Sequence, residues 1–184
     1  MGTVENKRYE LHDDSVSYAE FLAMVENRLD PNANSVLLVD DERGIRRKVA
    51  RDILEFAPKV LIYEAGNGKE ALEQLAAIRK KYTHDPLFIV LDLNMPVMNG
   101  WELIEALKKE YQAEGKTTGI PIIVLSSTSG ETGILFGKKS VHGGKAGYKP
   151  LITVAKENCT DARRYDGVGE KHLMGWLRFF AKTK

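Results

Sequence analysis

Three aspartates and a serine in this chain stand at the ends of short apolar runs. Asp40 and Asp41 follow "SVLLV", Asp92 closes "LFIVLD", and Ser126 closes "IPIIVLS". One aspartate after a strand is an ordinary turn former. Several carboxylates in one crevice are different, because close like charges disfavour mutual ionisation unless a cation neutralises them. If the three meet, the sequence predicts a Mg²⁺ site, since this ion prefers hard oxygen ligands.

The chemistry that such a site supports is phosphoryl transfer. A carboxylate acts as the nucleophile and becomes an acyl phosphate, while a divalent cation and a lysine neutralise charge on the phosphoryl oxygens. The chain has a lysine near each end of its last apolar run. Lys149 precedes Pro150, whereas Lys156 ends "LITVAK" (151–156), which is a better strand pattern than "KAGYK".

The apolar runs alternate with amphipathic stretches, which predicts an α/β protein with a parallel sheet covered by helices on both faces. The predicted strands span 35–40, 59–64, 87–92 and 120–126, and the predicted helices span 43–57, 67–81 and 99–114. Asn67 with Glu70, and Asn99 with Glu102, resemble capping boxes. In a doubly wound parallel sheet all strands end on one edge, so the strand-end residues are expected to meet there.

Four segments in this order resemble the receiver domain of two-component response regulators: "VLLVDDE", "IVLDLNMPVMNG", "PIIVLSS" and "GYKP". The resemblance covers residues 34 to 182 and implies a flavodoxin-like, five-stranded parallel sheet in the order 2-1-3-4-5. It makes Asp92 the phosphoacceptor and a Mg²⁺ ligand. It also makes Asp41 a direct ligand, Asp40 a ligand mainly through water, and Asn94 a ligand through its backbone carbonyl.

The resemblance assigns two further roles. Ser126 matches the hydroxyl residue that hydrogen-bonds the phosphoryl group, and Lys149 matches the lysine that pairs with a phosphoryl oxygen. Lys149 lies 23 residues after Ser126, close to the family's spacing, and we favour it over Lys156. The chain departs from the family pattern at Ala146, where an aromatic switch residue is normal.

Two segments do not fit the simple alternation. Residues 1–33 are predicted to be an N-terminal extension with one helix, whose apolar stripe consists of Tyr18, Leu22, Val25 and Leu29. Residues 34–184 are predicted to be the receiver domain, with an irregular excursion at about 137–168. The spacing of Leu173, Trp176, Leu177 and Phe180 predicts a last helix.

Composition narrows the classes of partner. Lys and Arg number 27 against 26 acidic residues, so no overall field favours nucleic acid or a membrane surface. A single cysteine suits a reducing compartment, and the expected location is the cytoplasm. The resemblance implies a sensor histidine kinase or a phosphotransfer protein as phosphodonor, and a protein target of unknown identity. A homodimer is a further alternative.

Three functional classes remain open from the sequence. The leading interpretation is a phosphorylatable signalling switch, which is only partly an enzyme. The second is an aspartyl-phosphate hydrolase, although Asn94 stands where such enzymes typically place a second aspartate. The third is a phosphorylation-independent interaction module on the same fold.

Overall fold

Five parallel strands and three helices make up the part of the chain described by the computed structural model, which covers residue 23, residues 32–126 and residues 147–155. In chain order the elements are β1 (Ser35–Val39), α1 (Arg43–Phe56), β2 (Leu61–Ala65), α2 (Gly68–Tyr82), β3 (Phe88–Asp92), α3 (Gly100–Ala113), β4 (Ile122–Ser126) and β5 (Leu151–Ala155). The strand order is β2-β1-β3-β4-β5, and every pairing is parallel. The predicted fold class and strand order are confirmed.

The central strands are buried on both faces, which explains their unbroken apolar sequences. All five residues of β1 and of β3 are buried. One face of the sheet packs against α1 through Val49 and Ile53. The other face packs against α2 and α3, in a cluster that includes Leu75 and Leu107. Two separate cores therefore hold the sheet, and its carboxyl edge is left to polar residues.

Asparagine caps begin two of the helices. The Asn99 side chain accepts a hydrogen bond from the Glu102 amide at 2.9 Å, and the Glu102 carboxylate accepts one from the Asn99 amide at 2.8 Å. This confirms the predicted capping box of α3. At α2, Asn67 accepts from the Glu70 amide, but the Glu70 carboxylate accepts from the Gly66 amide instead. The box predicted for α2 is therefore only half formed.

The fifth strand corrects one prediction. The favoured assignment ended this strand at Lys149, whereas β5 consists of Leu151–Ala155 and begins after Lys149. The competing pattern "LITVAK" was the correct one, because its apolar residues fill the sheet position beside β4. β5 also lies inside the range 137–168 that was predicted to be irregular. Within that range, residues 151–155 form a strand, which corrects the prediction. The predicted helices at Tyr18 to Leu29 and Leu173 to Phe180 lie outside the described residues, apart from Ala23, which is helical and exposed.

Candidate functional site

The aspartates that end β1 and β3 converge at the carboxyl edge of the sheet. Val39 is in register with Leu91, so the residues that follow, Asp40 and Asp92, are neighbours across the two central strands. Carboxylate oxygens of Asp40, Asp41 and Asp92 all lie within 4.8 Å of one another. Asp40 and Asp92 are 3% and 2% exposed, whereas Asp41 is exposed. The site is thus a buried carboxylate pair with a third carboxylate on its solvent side.

The turn after β1 fixes Asp40. Its Oδ1 accepts a hydrogen bond from the Glu42 amide at 2.8 Å, and its own amide donates to the carbonyl of Ala65 at 3.1 Å. Arg46, one turn into α1, donates from Nη1 to the Asp40 carbonyl and from Nε to Glu64 at 2.9 Å. These contacts tie the Asp40 backbone to both β2 and α1.

The turn after β3 brings α3 very close to Asp92. The Gly100 amide donates to the Leu93 carbonyl at 3.0 Å, and the Asp92 Oδ1 accepts from the Asn94 amide at 3.3 Å. A Cβ at position 100 would lie 2.4 Å from the Asp92 carbonyl oxygen and 2.8 Å from the Leu93 Cα. Only glycine fits here, so Gly100 sets how closely the helix start approaches the candidate nucleophile.

The loop between β3 and α3 also contacts the start of α2 closely. The Gly68 amide donates to the Met98 carbonyl at 2.8 Å, and a Cβ on Gly68 would lie 2.8 Å from the Met98 Cγ. Val97 in this loop has a φ of 70° and is 79% exposed. That conformation is strained for a β-branched residue. The loop after Asp92 is therefore held by contacts at both ends while its tip is in a costly conformation.

The donor set of this site fits a hard divalent cation. At an effective dielectric of about 20, two full charges 4.8 Å apart repel by about 3 kcal/mol, so three ionised carboxylates at this spacing call for a counter-charge. Mg²⁺ binds carboxylate oxygens while it keeps several waters and accepts phosphate oxygens. The buried pair with the exposed Asp41 suits this, because one side of the cluster faces solvent. Asn94 is exposed on the same edge, at the position predicted to offer its carbonyl.

Ser126 reaches the same edge by the strand register. Asp92 is paired with Leu125, so Ser126 lies one residue beyond Asp92 on the neighbouring strand. Ser126 in turn is paired with Ala155, the last residue of β5. The backbone thus brings Ser126 to this edge, while its side chain is outside the described residues.

Lys149 lies at the opposite edge of the sheet, and its assignment to this site was wrong. Its carbonyl accepts from the amide of Gly119, which precedes β4. The register pairs Leu125 with Val154, so Lys149 is five residues, or about 16 Å, below the level of Asp92. The Lys-Pro dipeptide misled the prediction because it opens β5 instead of closing it. Lys156 follows β5 directly in the sequence and lies outside the described residues.

The amino edge near Lys149 contains a cleft of about 400 Å³, whose walls include Leu107, Glu110, Gly119 and Tyr148. The Arg79 guanidinium on its rim donates to Asp85 at 2.6 Å and also bonds Glu110. Burial is the largest single influence on the pKa of Arg79 and lowers it. The hydrogen bonds and negative charges of Asp85 and Glu110 together outweigh burial, so the pKa of Arg79 is raised. Because this cation is already paired with two carboxylates, the cleft offers less to a charged ligand than the aspartate cluster does.

Sequence reasoning missed three residues that build the site. Gly100 and Gly68 permit the close approaches around Asp92, and Arg46 ties Asp40 to α1. The glycine after the Asn99 cap was a usable signal, since glycine at the first position of a helix has no advantage unless space is short. Nothing in the sequence pointed to Arg46.

Comparisons with known proteins agree with this geometry. Residues 36–138 match the family described as the response regulator receiver domain. The "Protein-glutamate methylesterase/protein-glutamine glutaminase" of Geobacillus kaustophilus is 34% identical over 96 residues, which are 52% of this chain and 24% of that protein. The "Probable transcriptional regulator ycf27" of Pyropia yezoensis is 35% identical over 102 residues, which are 54% of this chain and 35% of that protein. The match therefore spans about a quarter to a third of these relatives.

Among solved structures, the receiver domain of the Francisella response regulator 1452 has the same fold. It is 23% identical with a TM-score of 0.52, and the comparison covers 81% of this chain and 97% of that one. Within the described residues, no helix has the length and apolar character needed to cross a membrane.

Proposed function

The chain belongs to the family of response regulator receiver domains, and we propose that Asp92 accepts a phosphoryl group from a phosphohistidine donor in a Mg²⁺-dependent reaction. The observation that carries this proposal is the convergence of the Asp40, Asp41 and Asp92 carboxylates within 4.8 Å at the carboxyl edge of the sheet. Asp92 is the proposed nucleophile because β3 lies between β1 and β4, so that its last residue stands between Asp40 and Ser126 on this edge.

The reaction follows from the positions of the protein groups. A carboxylate oxygen of Asp92 attacks phosphorus in line, the phosphorus–nitrogen bond to the donor imidazole breaks, and its electron pair returns to that nitrogen. Asp40, Asp41 and the Asn94 carbonyl would hold Mg²⁺, which when bound neutralises charge on the phosphoryl oxygens. The Ser126 hydroxyl would donate a hydrogen bond to one of those oxygens. Water later hydrolyses the acyl phosphate and returns the aspartate.

Lys156 takes the place of Lys149 in this proposal. β5 runs parallel to β4 and its last residue pairs with Ser126, so β5 ends at the edge where the aspartates lie, and Lys156 is the next residue in the sequence. A lysine there can pair with a phosphoryl oxygen, as the chemistry requires. Lys149 is about 16 Å below that edge and cannot serve the site without a change of register.

The biological output is proposed to be a change in protein contacts. The donor would be a sensor histidine kinase or a phosphotransfer protein, and the expected location is the cytoplasm. The methylesterase activity that names one relative is not proposed for this chain, because the match covers only 24% of that protein. A hydrolase remains the second candidate, and the lifetime of the acyl phosphate separates it from a switch.

Intact mass spectrometry tests the proposal directly. Incubation with phosphoramidate and Mg²⁺ should add one phosphoryl group to the wild type and none to Asp92→Asn. Asp52→Asn, which alters a carboxylate on α1 paired with Lys48, serves as the matched control and should label normally. Equal labelling of the wild type and Asp92→Asn would remove Asp92 from the mechanism. Turnover of the donor with no phosphorylated protein detectable at any time would favour the hydrolase.

A further inference from the structure

The outer face of α1 has a stripe of three exposed arginines. Arg43, Arg47 and Arg51 are spaced four residues apart, so they are neighbours on one side of the helix and span about 12 Å along it. Leu54, which is 39% exposed, continues the same side toward the end of the helix. We call these four residues the arginine face.

The arginine face is not neutralised by its own helix. The other basic residues of α1 are paired: Arg46 contacts Glu64 at 2.9 Å, and Lys48 contacts Asp52 at 2.8 Å. Among the described residues no ion pair involves Arg43, Arg47 or Arg51. Like charges four residues apart disfavour the helix by a few tenths of a kcal/mol. Among the described residues no ion pair relieves the repulsion within this stripe, so the stripe suits an acidic partner surface.

The N-terminal segment joins the sheet beside the end of α1. Ala33 is buried in the same cluster as Ala57 and Val60, which follow the helix. The Asn34 side chain donates to the Lys59 carbonyl at 2.8 Å. The polypeptide therefore reaches β1 from a point next to the Leu54 end of the arginine face. Any structure formed by the preceding residues is tethered there at a high effective concentration.

The residues before this junction have the complementary charge. Residues 1–31 contain seven acidic residues and three basic ones, and the helix predicted from Tyr18 to Leu29 has an apolar stripe. Twelve helical residues would measure about 18 Å, and the fourteen of α1 measure about 21 Å. A helix of that length leading back from the junction would span most of α1 and would bring Asp13 and Asp14 toward Arg43.

We propose that residues 1–31 bind in cis along the arginine face. The Leu29 end of the apolar stripe packs at Leu54, and the carboxylates of Glu10, Asp13 and Asp14 oppose the arginines near the start of α1. The bound segment covers this cationic face and excludes acidic partners from it. This inference stands without the phosphoryl-transfer proposal, since it rests on α1, the junction and the charge of the segment.

Paramagnetic broadening in the full chain tests the binding. A nitroxide is attached at Ser15→Cys in a Cys159→Ser background, and amide signals are followed by NMR. At low ionic strength, the amides of residues 43–51 should broaden. At about 1 M salt, where the Debye length is about 3 Å, most of that broadening should be lost.

Charge substitutions separate this contact from a nonspecific one. Each exposed ion pair changes such an equilibrium by about twofold. The triple change Arg43→Glu, Arg47→Glu and Arg51→Glu should therefore lower the ratio of bound to released segment about tenfold or more. The control is Lys69→Glu with Lys80→Glu, two exposed positions on α2, which should leave the broadening unchanged. Adding Asp13→Lys and Asp14→Lys to the triple variant should restore part of it.

Three results would overturn the proposal. The first is no broadening on α1, or broadening centred on another element. The second is broadening of α1 that neither salt nor the triple variant reduces. The third is broadening in a mixture in which the nitroxide and the isotopic label are on different molecules, because the occupant is then a second copy of the chain.

Discussion

Replacing Gly100 by alanine tests whether the close approach of α3 to Asp92 is required. The new Cβ would lie 2.4 Å from the Asp92 carbonyl oxygen and 2.8 Å from the Leu93 Cα, and both are backbone atoms that no rotamer change can move. The Gly100 amide also donates to the Leu93 carbonyl. Relief of the clash must therefore displace either the helix start or the Asp92 peptide.

The expected loss of stability follows from two opposing effects. Overpacking of this kind typically costs about 1–3 kcal/mol. Alanine is the better helix former by up to about 1 kcal/mol. The net loss should be about 1–2 kcal/mol, which leaves a domain of ordinary stability folded. Gly44→Ala is the matched control, because a Cβ on Gly44, near the start of α1, has no atom within 4 Å. That variant should gain about 0.5–1 kcal/mol.

Urea unfolding at a common pH and salt concentration measures both variants, with the midpoints compared at equal slope. The order of stability should be Gly44→Ala, wild type, Gly100→Ala. Gly100→Ala should also label more slowly with phosphoramidate, because the clash displaces the peptide that carries the nucleophile. A Gly100→Ala variant that is as stable as Gly44→Ala and labels at the wild-type rate would refute the argument from the close approach.

Three further changes have defined outcomes. Val97→Asn should raise the free energy of unfolding by about 1 kcal/mol, because asparagine tolerates the left-handed conformation. Val97→Thr keeps a β-branched residue and should leave the free energy of unfolding unchanged. Equal urea midpoints for these two variants would contradict this prediction. Mg²⁺ at ten times its Kd should stabilise the wild type by about 1.4 kcal/mol in thermal melts, and Asp41→Ala should abolish the gain; a Tm indifferent to Mg²⁺ counts against the metal site. Lys156→Ala should slow phosphorylation about tenfold or more and Lys149→Ala by less than about twofold, and the reverse order in a labelling time course would restore the earlier assignment.

Patterns that depend on local sequence predicted the fold well. The unbroken apolar runs of β1 and β3 predicted buried strands, and the ends of these strands bring Asp40 and Asp92 together because parallel strands share a carboxyl edge. The asparagine cap of α3 was equally local. Each of these features is decided within a few residues of chain.

Features that depend on tertiary contacts were not predictable in the same way. The Glu70 carboxylate accepts a hydrogen bond from the Gly66 amide and not from the Asn67 amide. Which amide it accepts from depends on the path of the chain into α2. The need for Gly100 arises from atoms seven and eight residues earlier, which approach it only when α3 is packed. The residue type at position 97 does not predict the left-handed φ found there, because β-branched residues such as valine rarely adopt that conformation.

The position of the site lysine follows from a buried tyrosine at the other end of β5. Tyr148 is fully buried, and its hydroxyl donates to the Ile120 carbonyl at 2.6 Å. A Cβ on Gly119 would lie 2.5 Å from that hydroxyl, so the glycine makes room for the ring below β4. To bring Lys149 to the level of Asp92, the strand would have to slide by five residues, or about 16 Å. That shift would pull Tyr148 out of its site and carry the apolar residues of β5 beyond the sheet. Burial of Tyr148, Leu151, Ile152 and Val154 therefore outweighs the Lys-Pro motif, and the chain can offer a lysine to Asp92 from this strand only after Ala155.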